Sequence, residues 1–570
     1  MKLNILSFSV TALAATLLPS ECDATATCRC LPGDACWPST TAWSTLNSTV
    51  GGRLVATVEL GRACHDPYYN ATECAYLQSE WQYPEIHMES SSSVMAPFFA
   101  NQSCDPFQPE SRACLIGNYV NYAVNVSSAA DISAAVEFAQ ANNIRFVIRN
   151  TGHDYLGKST GAGALSVWTH YLKDTAVLDY TSTAYTGKAM KYGAGVQGYE
   201  AIDATKAAGL VTVGGECPTV GVAGGYTQGG GHSALSTSFG LSADNVLEWE
   251  VVLANGTIAT ATPTENEDLY WAMSGGGGGT YAIATSVTVK AHADATIGGA
   301  LLVVYASATT QDTFYEAIDK FHTLLPAMVD AGSMVVYYFT DAFFQIAPIT
   351  VYNSTAEETE AILADFTTVL SSLNITYTLN TTTSASYEEH YNTYFGPLPL
   401  GNIQVGIAQY GGRLISRDNV ANNMDALSAA YRNITENGVT FIGVGTNVSS
   451  SAITSGPSNA VLPAWRTALV SATLTLPWNF TAPWDDMIAL QDKMTNEIVP
   501  QMEAVTPNSG TYMNEADFRQ PNFQTTYFGT NYDKLLAIKN KYDPDHLFYA
   551  VTAVGSEYWT VADDGRMCVA

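Results

Sequence analysis

Two glycine-rich stretches each contain one residue that can act as a nucleophile. They place His153 and Cys217 64 residues apart, in Arg149-Asn150-Thr151-Gly152-His153-Asp154 and in Gly214-Gly215-Glu216-Cys217-Pro218-Thr219-Val220-Gly221. Because glycine has no Cβ, the backbone N–H groups of such turns can approach an anionic group such as a pyrophosphate closely. A histidine and a cysteine on either side of that ligand predict a flavin held by two covalent bonds.

Each residue alone has a simpler interpretation. A histidine flanked by glycine is often only a loop residue, and a lone cysteine is more often a small buried apolar side chain than a reactive thiol. Their joint occurrence with the glycines favours attachment of a cofactor.

The composition is that of a large globular protein. The 570 residues are 47% hydrophobic and 11% aromatic, which is enough for two or three cores. Acidic residues outnumber basic ones by 53 to 24, giving a formal net charge of −29. This charge argues against nucleic acid or an anionic membrane surface as a partner, and a small neutral substrate fits better.

The N-terminus predicts export. Met1-Lys2 precedes an apolar run over residues 5–18, which is too short to span a bilayer and suits a secretory signal. We predict a signal peptide over residues 1–26, with cleavage near Ser20 as the alternative, and a secreted, extracellular protein. Eleven Asn-x-Ser/Thr sequons agree with this compartment, and no later apolar stretch is long enough for a membrane span.

The cysteines that remain after cleavage at residue 26 suggest four disulfides and one reactive thiol, Cys217. The other eight are Cys28, Cys30, Cys36, Cys64, Cys74, Cys104, Cys114 and Cys568. Eight cysteines allow 105 pairings. We favour Cys64–Cys74 and Cys104–Cys114 because they are local, which leaves Cys568 to join the C-terminus to the Cys28–Cys36 cluster.

The pattern along the chain predicts five segments. A signal peptide and a Cys-rich N-terminal extension over 27–114 precede a cofactor domain over 115–290, a substrate-binding domain over 291–500 and a C-terminal segment over 501–570. In the cofactor domain we expect a strand over 119–124, a helix over 128–141 and a strand over 144–148, which delivers His153. A helix over 199–208 and a strand over 210–213 deliver Cys217, so both residues lie beyond strand ends.

Two further features belong to the cofactor domain. Strands over 245–254 and 257–262 flank Asn255-Gly256, which predicts a hairpin with a type I′ turn. The run Gly275 to Gly279 predicts close approach of the backbone to the cofactor, with a flexible linker as the alternative.

The remaining segments show the spacing of apolar residues that is typical of strands and helices. Between 291 and 500 we expect strands over 300–305, 334–340 and 403–409 and helices over 310–325 and 356–372. A helix over 532–542 is expected to return to the cofactor domain.

The ordered motifs resemble the vanillyl-alcohol-oxidase family of flavoproteins, and more closely its berberine-bridge-enzyme-like branch, which includes secreted fungal oxidases similar to isoamyl alcohol oxidase. Besides the two stretches above, they are Gly229-Gly230-Gly231-His232, Asp268-Leu269-Tyr270-Trp271, Tyr527-Phe528-Gly529-Thr530-Asn531-Tyr532 and Lys541-Tyr542-Asp543-Pro544. The resemblance implies an α+β fold in which a two-subdomain PCMH-type FAD-binding domain carries an inserted substrate domain, an antiparallel sheet covered by helices.

The resemblance also implies FAD bound through its 8α-methyl to His153 and through C6 to Cys217. It gives backbone groups from Arg149 to Gly152 to the pyrophosphate, places Asn531 against the flavin and puts Gly225 where many plant relatives have a histidine. The small Val220 implies access for molecular oxygen. The predicted cofactor-binding residues are therefore His153, Cys217, Arg149, Asn150, Thr151, Gly152, Asp154, Gly214, Gly215, Thr219, Val220, Gly221, Gly225 and Asn531, and no metal site is predicted.

Oxidising an alcohol requires a base for the hydroxyl proton. Relatives use a Tyr-x-Asn-Tyr segment, which here is Tyr512-Met513-Asn514-Glu515. We expect Glu515 to be this base with its pKa raised by burial, and a surface glutamate in a loop is the alternative. Tyr512 and Gln404, which lies roughly where some plant relatives have a catalytic lysine, complete the predicted catalytic set. Tyr155 and His232 are expected to support loop geometry.

The expected function is that of a secreted FAD-dependent oxidase acting on a CH–OH group of an alcohol or carbohydrate, with molecular oxygen as acceptor. Two alternatives stay open: oxidative tailoring or cyclisation in secondary metabolism, and a catalytically inert flavin-bound glycoprotein. A nicotinamide enzyme is disfavoured because no Gly-x-Gly-x-x-Gly opens a helix after a first strand.

Overall fold

The structure is a computed structural model that describes residues 28–452 and 458–570. The predicted signal peptide lies outside the described residues. The fold is mixed helix and sheet, as expected, and within the described part of the chain no helix is long and apolar enough to cross a bilayer.

The first sheet positions the histidine-bearing turn. Three of its strands are parallel and the N-terminal one is antiparallel; in spatial order they are Leu54–Ala56, Tyr122–Asn125, Leu165–Trp168 and Phe146–Arg149. The predicted helix is confirmed at Ala129–Ala141, where the Ser128 side chain accepts from the Asp131 N–H and caps the first turn. Phe146–Arg149 runs directly into the turn that carries His153.

The second sheet is antiparallel and forms the other half of the cofactor-side core. Its strands in spatial order are Thr175–Thr181, Thr186–Gly193, Ile283–Lys290, Val246–Val252 and Ile258–Ala261. The predicted hairpin is confirmed, but its type I′ turn is wrong. That turn needs positive φ at both central residues, whereas Gly256 has φ +79° and Asn255 does not have positive φ, so a three-residue loop closes on the glycine.

A seven-stranded antiparallel sheet follows. Its spatial order is Tyr377–Ser384, Ile297–Tyr305, Phe343–Tyr352, Ser333–Phe339, Thr440–Gly445, Ala468–Pro477 and Ala408–Ser416. Side chains alternate between its two faces. Val335, Tyr337 and Phe339 enter the core beneath the helices Gln311–Asp330, Ala356–Ser372 and Met424–Glu436.

One predicted strand of this sheet is wrong over most of its length. Residues 403–407 form a loop, and the strand begins only at Ala408. Gly406 has φ +70°, which interrupts an extended chain, and Val405 is buried against Met88 and Met95 instead of pairing.

The remaining elements connect and cover these sheets. The other α-helices are Thr40–Thr49, Ala71–Glu80, Pro84–Met88, Pro97–Ala100, Gly198–Lys206, Ser236–Phe239, Glu267–Met273, Tyr387–Tyr394, Arg417–Asn422, Trp484–Lys493, Val499–Val505, Phe523–Phe528 and Tyr532–Tyr542. Two short ladders pair Leu210–Val211 with His292–Ala293 and Trp559–Val561 with Met567–Val569.

The disulfides confirm the predicted pairing. Cys28–Cys568, Cys30–Cys36, Cys64–Cys74 and Cys104–Cys114 are bonded, and Cys217 is free. The N-terminal extension shares cores with later segments: Trp81 packs in one cluster with Trp478 and Phe480. It is therefore stapled onto the rest of the chain.

The helix Tyr532–Tyr542 returns to the second sheet, as predicted, because Leu535 and Ile538 enter that core. Next to them the fully buried Lys539 donates to Asp543 at 2.5 Å, to the Thr280 carbonyl at 2.8 Å and to the Phe548 carbonyl at 2.7 Å. This ammonium group joins the C-terminal segment to the end of the glycine run.

We expect Lys539→Met to lower the free energy of unfolding by about 3–5 kcal/mol, because it leaves a buried carboxylate unpaired. The matched control is Lys541→Met, which removes an exposed pair with Asp268 and should cost about 1 kcal/mol or less. Thermal unfolding of the two variants measures the difference, and equal losses would contradict the assigned role of Lys539.

Candidate active site

A cavity of about 720 Å³ lies where the cofactor-side sheets meet the seven-stranded sheet. Its volume is within the range of small-molecule and cofactor sites. It brings together most of the predicted site residues, namely Asn150, Thr151, Gly152, His153, Asp154, Gly215, Cys217, Val220, Gly221, Gly225, Gln404, Tyr512 and Glu515.

Four predicted residues do not line this cavity. Arg149 and Thr219 are fully buried behind it, and Gly214 is not among the lining residues. Asn531 is also outside the lining, and its amide donates to the carbonyls of Ala460 and Val461 at 3.2 and 3.3 Å. Gln404 does line the cavity, from the loop over residues 402–407 and not from a strand.

The turn that carries His153 is rigid. The Arg149 guanidinium donates to the carbonyls of His87 and Ser90 at 2.7 and 3.0 Å. Gly152 has φ +87°, and a Cβ there would lie 2.6 Å from Arg149 Nη1, so only glycine fits. Asp154 accepts three backbone N–H groups of the following loop, from Leu156, Lys158 and Ser159.

The two predicted attachment residues meet at one threonine hydroxyl. His153 Nε2 lies 2.8 Å from Thr219 Oγ1, and Cys217 Sγ lies 3.4 Å from the same oxygen. Burial, with His87 and Arg149 nearby, lowers the pKa of His153 to about 3, so its imidazole is neutral. Burial raises the pKa of Cys217, although hydrogen bonds from Thr219 and Val220 oppose the shift.

The cavity fits the predicted flavin. A Cβ at Gly221 would lie 2.4 Å from Asn150 Nδ2, whereas one at Gly225 would meet no atom within 4 Å and would enter the space a ligand can take. Asn150 Nδ2 donates to the Ala194 carbonyl at 2.5 Å, while its Oδ1 is buried without a partner in the described chain. An unpaired buried acceptor suits a ligand with N–H and O–H groups, as the flavin ring and ribityl chain have.

The glycine run is ordered and not a flexible linker. Gly275 and Gly277 both donate their N–H to the Gln228 carbonyl, at 3.0 and 2.8 Å, and a Cβ on Gly275 would lie 2.4 Å from the Val461 nitrogen. Gly278 and Gly279 line the cavity.

Across the cavity, a histidine lies between two carboxylates. His232 Nε2 is 2.9 Å from Glu515 Oε1, and His232 Nδ1 is 3.3 Å from Glu216 Oε1. Thr473, on the seven-stranded sheet, donates its hydroxyl to Glu515 Oε2 at 2.7 Å. This row of interacting side chains connects the Cys217 turn with the seven-stranded sheet.

The charged neighbours of Glu515 reverse the predicted direction of its pKa shift. Burial alone would raise the pKa of Glu515, but the His232 imidazolium and the Thr473 hydroxyl outweigh burial and lower it. Burial alone would likewise lower the pKa of His232, yet Glu515 and Glu216 raise it well above 6.5. The predicted raised pKa of Glu515 is therefore wrong, and the site holds a carboxylate–imidazolium pair.

Tyrosines surround this pair. Tyr512 is buried edge-on to the His232 ring, and its hydroxyl accepts from Asn514 at 2.8 Å. Burial and the nearby Glu515 raise the pKa of Tyr512, so it stays protonated and is not a base. Tyr155 and Tyr410 stack with ring centroids 3.8 Å apart and also line the cavity.

The sequence prediction missed Glu216, Thr473 and Tyr410 and assigned His232 to loop support. The position of Glu216 directly before Cys217, inside a turn already assigned to the site, was a usable signal that it could line the cavity. Thr473 and Tyr410 carry no local signal, since only the pairing of distant strands brings them to the cavity.

Two family models match the chain. One, described as an FAD binding domain, covers residues 120–262, and the other, described as berberine and berberine like, covers residues 511–555.

Similar proteins cover nearly the whole chain. The FAD-linked oxidoreductase ZEB1 of Gibberella zeae is 52% identical over 98% of this chain and 97% of its own. The bifunctional decalin synthase calF of Penicillium decumbens is 40% identical over 99% of both.

Two solved structures of flavoproteins share the fold of this chain. The VAO-type flavoprotein MtVAO615 of Myceliophthora thermophila has a TM-score of 0.93 and 42% identity, over 95% of this chain and 100% of that one. A glucooligosaccharide oxidase of Acremonium strictum, whose FAD is 6-S-cysteinyl and 8α-N1-histidyl, has a TM-score of 0.62 at 21% identity, over 77% and 92% of the two chains, and shares the fold.

We expect the stabilising effect of His232 to fall as the pH rises. Its pKa is raised above 6.5 on folding, so its contribution is fully present below about pH 6.5 and is lost as the pH passes through the folded-state value. The difference in melting temperature between wild type and His232→Gln should shrink as the pH rises from about 6.5 through the folded-state pKa of His232. The control is His170→Gln, since burial lowers the pKa of His170 to about 4 and its effect should be constant over this range. A flat His232→Gln difference would contradict the ion pairs.

Proposed function

This chain belongs to the berberine-bridge-like, VAO-type family of FAD-linked oxidoreductases, and on that premise we propose that it is an oxidase of uncharged alcohols with molecular oxygen as acceptor. The carboxylate–imidazolium pair facing the predicted flavin site is the observation that carries the proposal. The product is the carbonyl compound together with hydrogen peroxide.

The bound FAD supplies the acceptor for the hydride that leaves the alcohol carbon. Residues 149–154 and 214–221 hold it, with His153 and Cys217 as its two covalent attachments. Support comes from the position of both side chains at one edge of the cavity and from the doubly linked FAD named for the glucooligosaccharide oxidase.

Glu515 takes the hydroxyl proton of the substrate. Its lowered pKa keeps it ionised at neutral pH, and Thr473 fixes one of its oxygens while His232 fixes the other. His232, with Glu216 on its far side, orients the carboxylate of Glu515 by donating to it, and the arriving proton goes to Glu515.

The lining of the seven-stranded sheet favours an uncharged substrate. The residues that face the cavity from its strands 333–339, 440–445 and 468–477 are Val336, Tyr338, Thr440, Ile442, Val444, Thr473 and Thr475, and none of them is charged. We favour an alcohol over a carbohydrate because the glucooligosaccharide oxidase is only 21% identical to this chain, whereas the relatives with 52% and 40% identity are named an FAD-linked oxidoreductase and a decalin synthase.

Oxidative cyclisation is a second candidate. A relative that is 40% identical over nearly the full chain is named a decalin synthase, so ring formation on a carbon skeleton is a second activity that this family supports. An inert glycoprotein is less favoured, because the proton acceptor and its cation are both in place.

We further propose that the protein is secreted and glycosylated. Four disulfides outside the cavity and eleven sequons support an oxidising, glycosylating compartment.

We expect the purified protein to release peroxide with long-chain or aromatic primary alcohols, with kcat/KM at least about tenfold above that for oligosaccharides. A peroxidase-coupled assay in air and flavin bleaching under argon measure this. Bleaching under argon without peroxide in air would contradict an oxidase. Rearranged product without a new carbonyl group would favour cyclisation, and no bleaching by any donor would favour the inert protein.

We expect Glu515→Gln to slow flavin reduction by about 10²- to 10⁴-fold, since glutamine cannot accept the hydroxyl proton. Wild type should also lose activity towards acid pH as Glu515 becomes protonated, and the variant should not show this limb. Glu436→Gln, on an exposed helix of the substrate side, is the control and should behave as wild type. An unchanged reduction rate in Glu515→Gln would remove Glu515 as the base.

A further inference from the structure

Thr219 does not line the cavity, yet its side chain contacts both predicted attachment residues. Its side chain is fully buried behind the lining, and its hydroxyl contacts both His153 Nε2 and Cys217 Sγ. A hydroxyl has one proton to donate and lone pairs that accept, so it can accept from one of these groups while it donates to the other.

The backbone that carries Thr219 is held by hydrogen bonds. The buried Gln197 donates to the Thr219 carbonyl at 2.7 Å, and the Val220 N–H donates to the Cys217 carbonyl at 3.2 Å. These bonds close the turn over residues 217–220, and the buried side chain lies between the two nucleophiles.

The chemistry of the neighbours gives the direction of both hydrogen bonds. His153 is neutral, so it carries one ring proton, and among the described residues no hydrogen-bond partner is found at Nδ1. If Nε2–H donates to Thr219, the reactive lone pair is on Nδ1. The Thr219 hydroxyl is the hydrogen-bond partner of the Cys217 sulfur, and its hydrogen bond lowers the pKa of the thiol against the larger, opposite effect of burial.

We propose that Thr219 is the positioning residue for both covalent attachments: its oxygen holds the Nε2–H tautomer of His153, and its proton stabilises the Cys217 thiolate. The inference rests on the proposed covalent attachment of the flavin.

Each attachment exchanges a C–H bond of the flavin for a bond to the protein. At His153 the C8α–H bond breaks and an Nδ1–C8α bond forms, with loss of the carbon-bound proton and of the Nε2 proton. At Cys217 the C6–H bond breaks and an Sγ–C6 bond forms, with loss of the carbon-bound proton and the thiol proton. The two electrons released in each exchange pass to molecular oxygen, which takes up two protons and becomes hydrogen peroxide.

The test compares wild type, Thr219→Val and Thr219→Ser after acid denaturation. Mass spectrometry of the peptides that contain His153 and Cys217 gives the fraction carrying each bond, independently of activity. We expect both bonds in wild type and in Thr219→Ser. Valine keeps the shape without the hydroxyl, so each bond should fall about tenfold in Thr219→Val, the scale expected for loss of one hydrogen bond to an ionised or reacting group.

Two further backgrounds separate the two halves of the proposal. Adding Thr219→Val to Cys217→Ala should lower the histidyl bond, and adding it to His153→Ala should lower the cysteinyl bond. Thr219→Ala replaces the valine variant if that one does not fold, as judged by circular dichroism and melting temperature.

Each possible outcome of this comparison either supports or contradicts the proposed role of Thr219. Full attachment in Thr219→Val overturns the proposal, and so does a loss confined to one of the two bonds. Equal loss in Thr219→Ser overturns it too, because packing and not the hydroxyl would then matter. Wild type without any covalent flavin would instead show that the proposed attachment itself fails.

Discussion

The ion pair of His232 with Glu515 is the interaction on which the arrangement of the site depends. It joins residues 283 positions apart in the chain, and through Glu216 and Thr473 it continues to the Cys217 turn on one side and the seven-stranded sheet on the other. A buried cation between two carboxylates is stable only while all three partners stay in place. The pair therefore fixes the distance between the predicted cofactor site and the substrate side.

The seven-stranded sheet divides two tasks between its faces. Tyr337 and Phe441 pack under the helices and stabilise the sheet, while Tyr338 and Ile442 point into the cavity from the same strands. Because side chains alternate strictly, a change on the cavity face leaves the helix-covered core intact. Substrate preference can thus vary while the fold does not.

Much of the fold could be predicted because its signals are local. The helix Ala356–Ser372 starts at a capping box of Thr355 and Glu358 and matches the prediction to the residue. The segment 403–407 failed because its alternating apolar residues imitate a strand, while Gly406 and the burial of Val405 against the N-terminal extension decide the outcome. Those partners are more than 300 residues away and leave no trace in the local pattern.

At the site, too, local features could be predicted from the sequence and long-range contacts could not. The position of His153 and Cys217 at the cavity could be predicted from their glycine-rich turns, since those turns are local. The burial of Glu515 could also be anticipated, but its pKa depends on the cation beside it, and the contact with His232 exists only in the folded chain. Burial and charge pairing shift a carboxyl pKa in opposite directions, so knowing one without the other gave the wrong sign.

The combined charge of the side chains of Glu216, His232 and Glu515 influences which substrates the site can bind. Two carboxylates and one imidazolium carry a net charge of −1, and a proton arriving at Glu515 would neutralise the set. The sheet face opposite offers no charged side chain. On the proposed function, a neutral alcohol leaves Glu515 free to accept its proton, whereas a charged group would compete with the pairing of His232 and its two carboxylates. The electrostatics that stabilise the ion pair therefore also favour a neutral substrate for the proposed reaction.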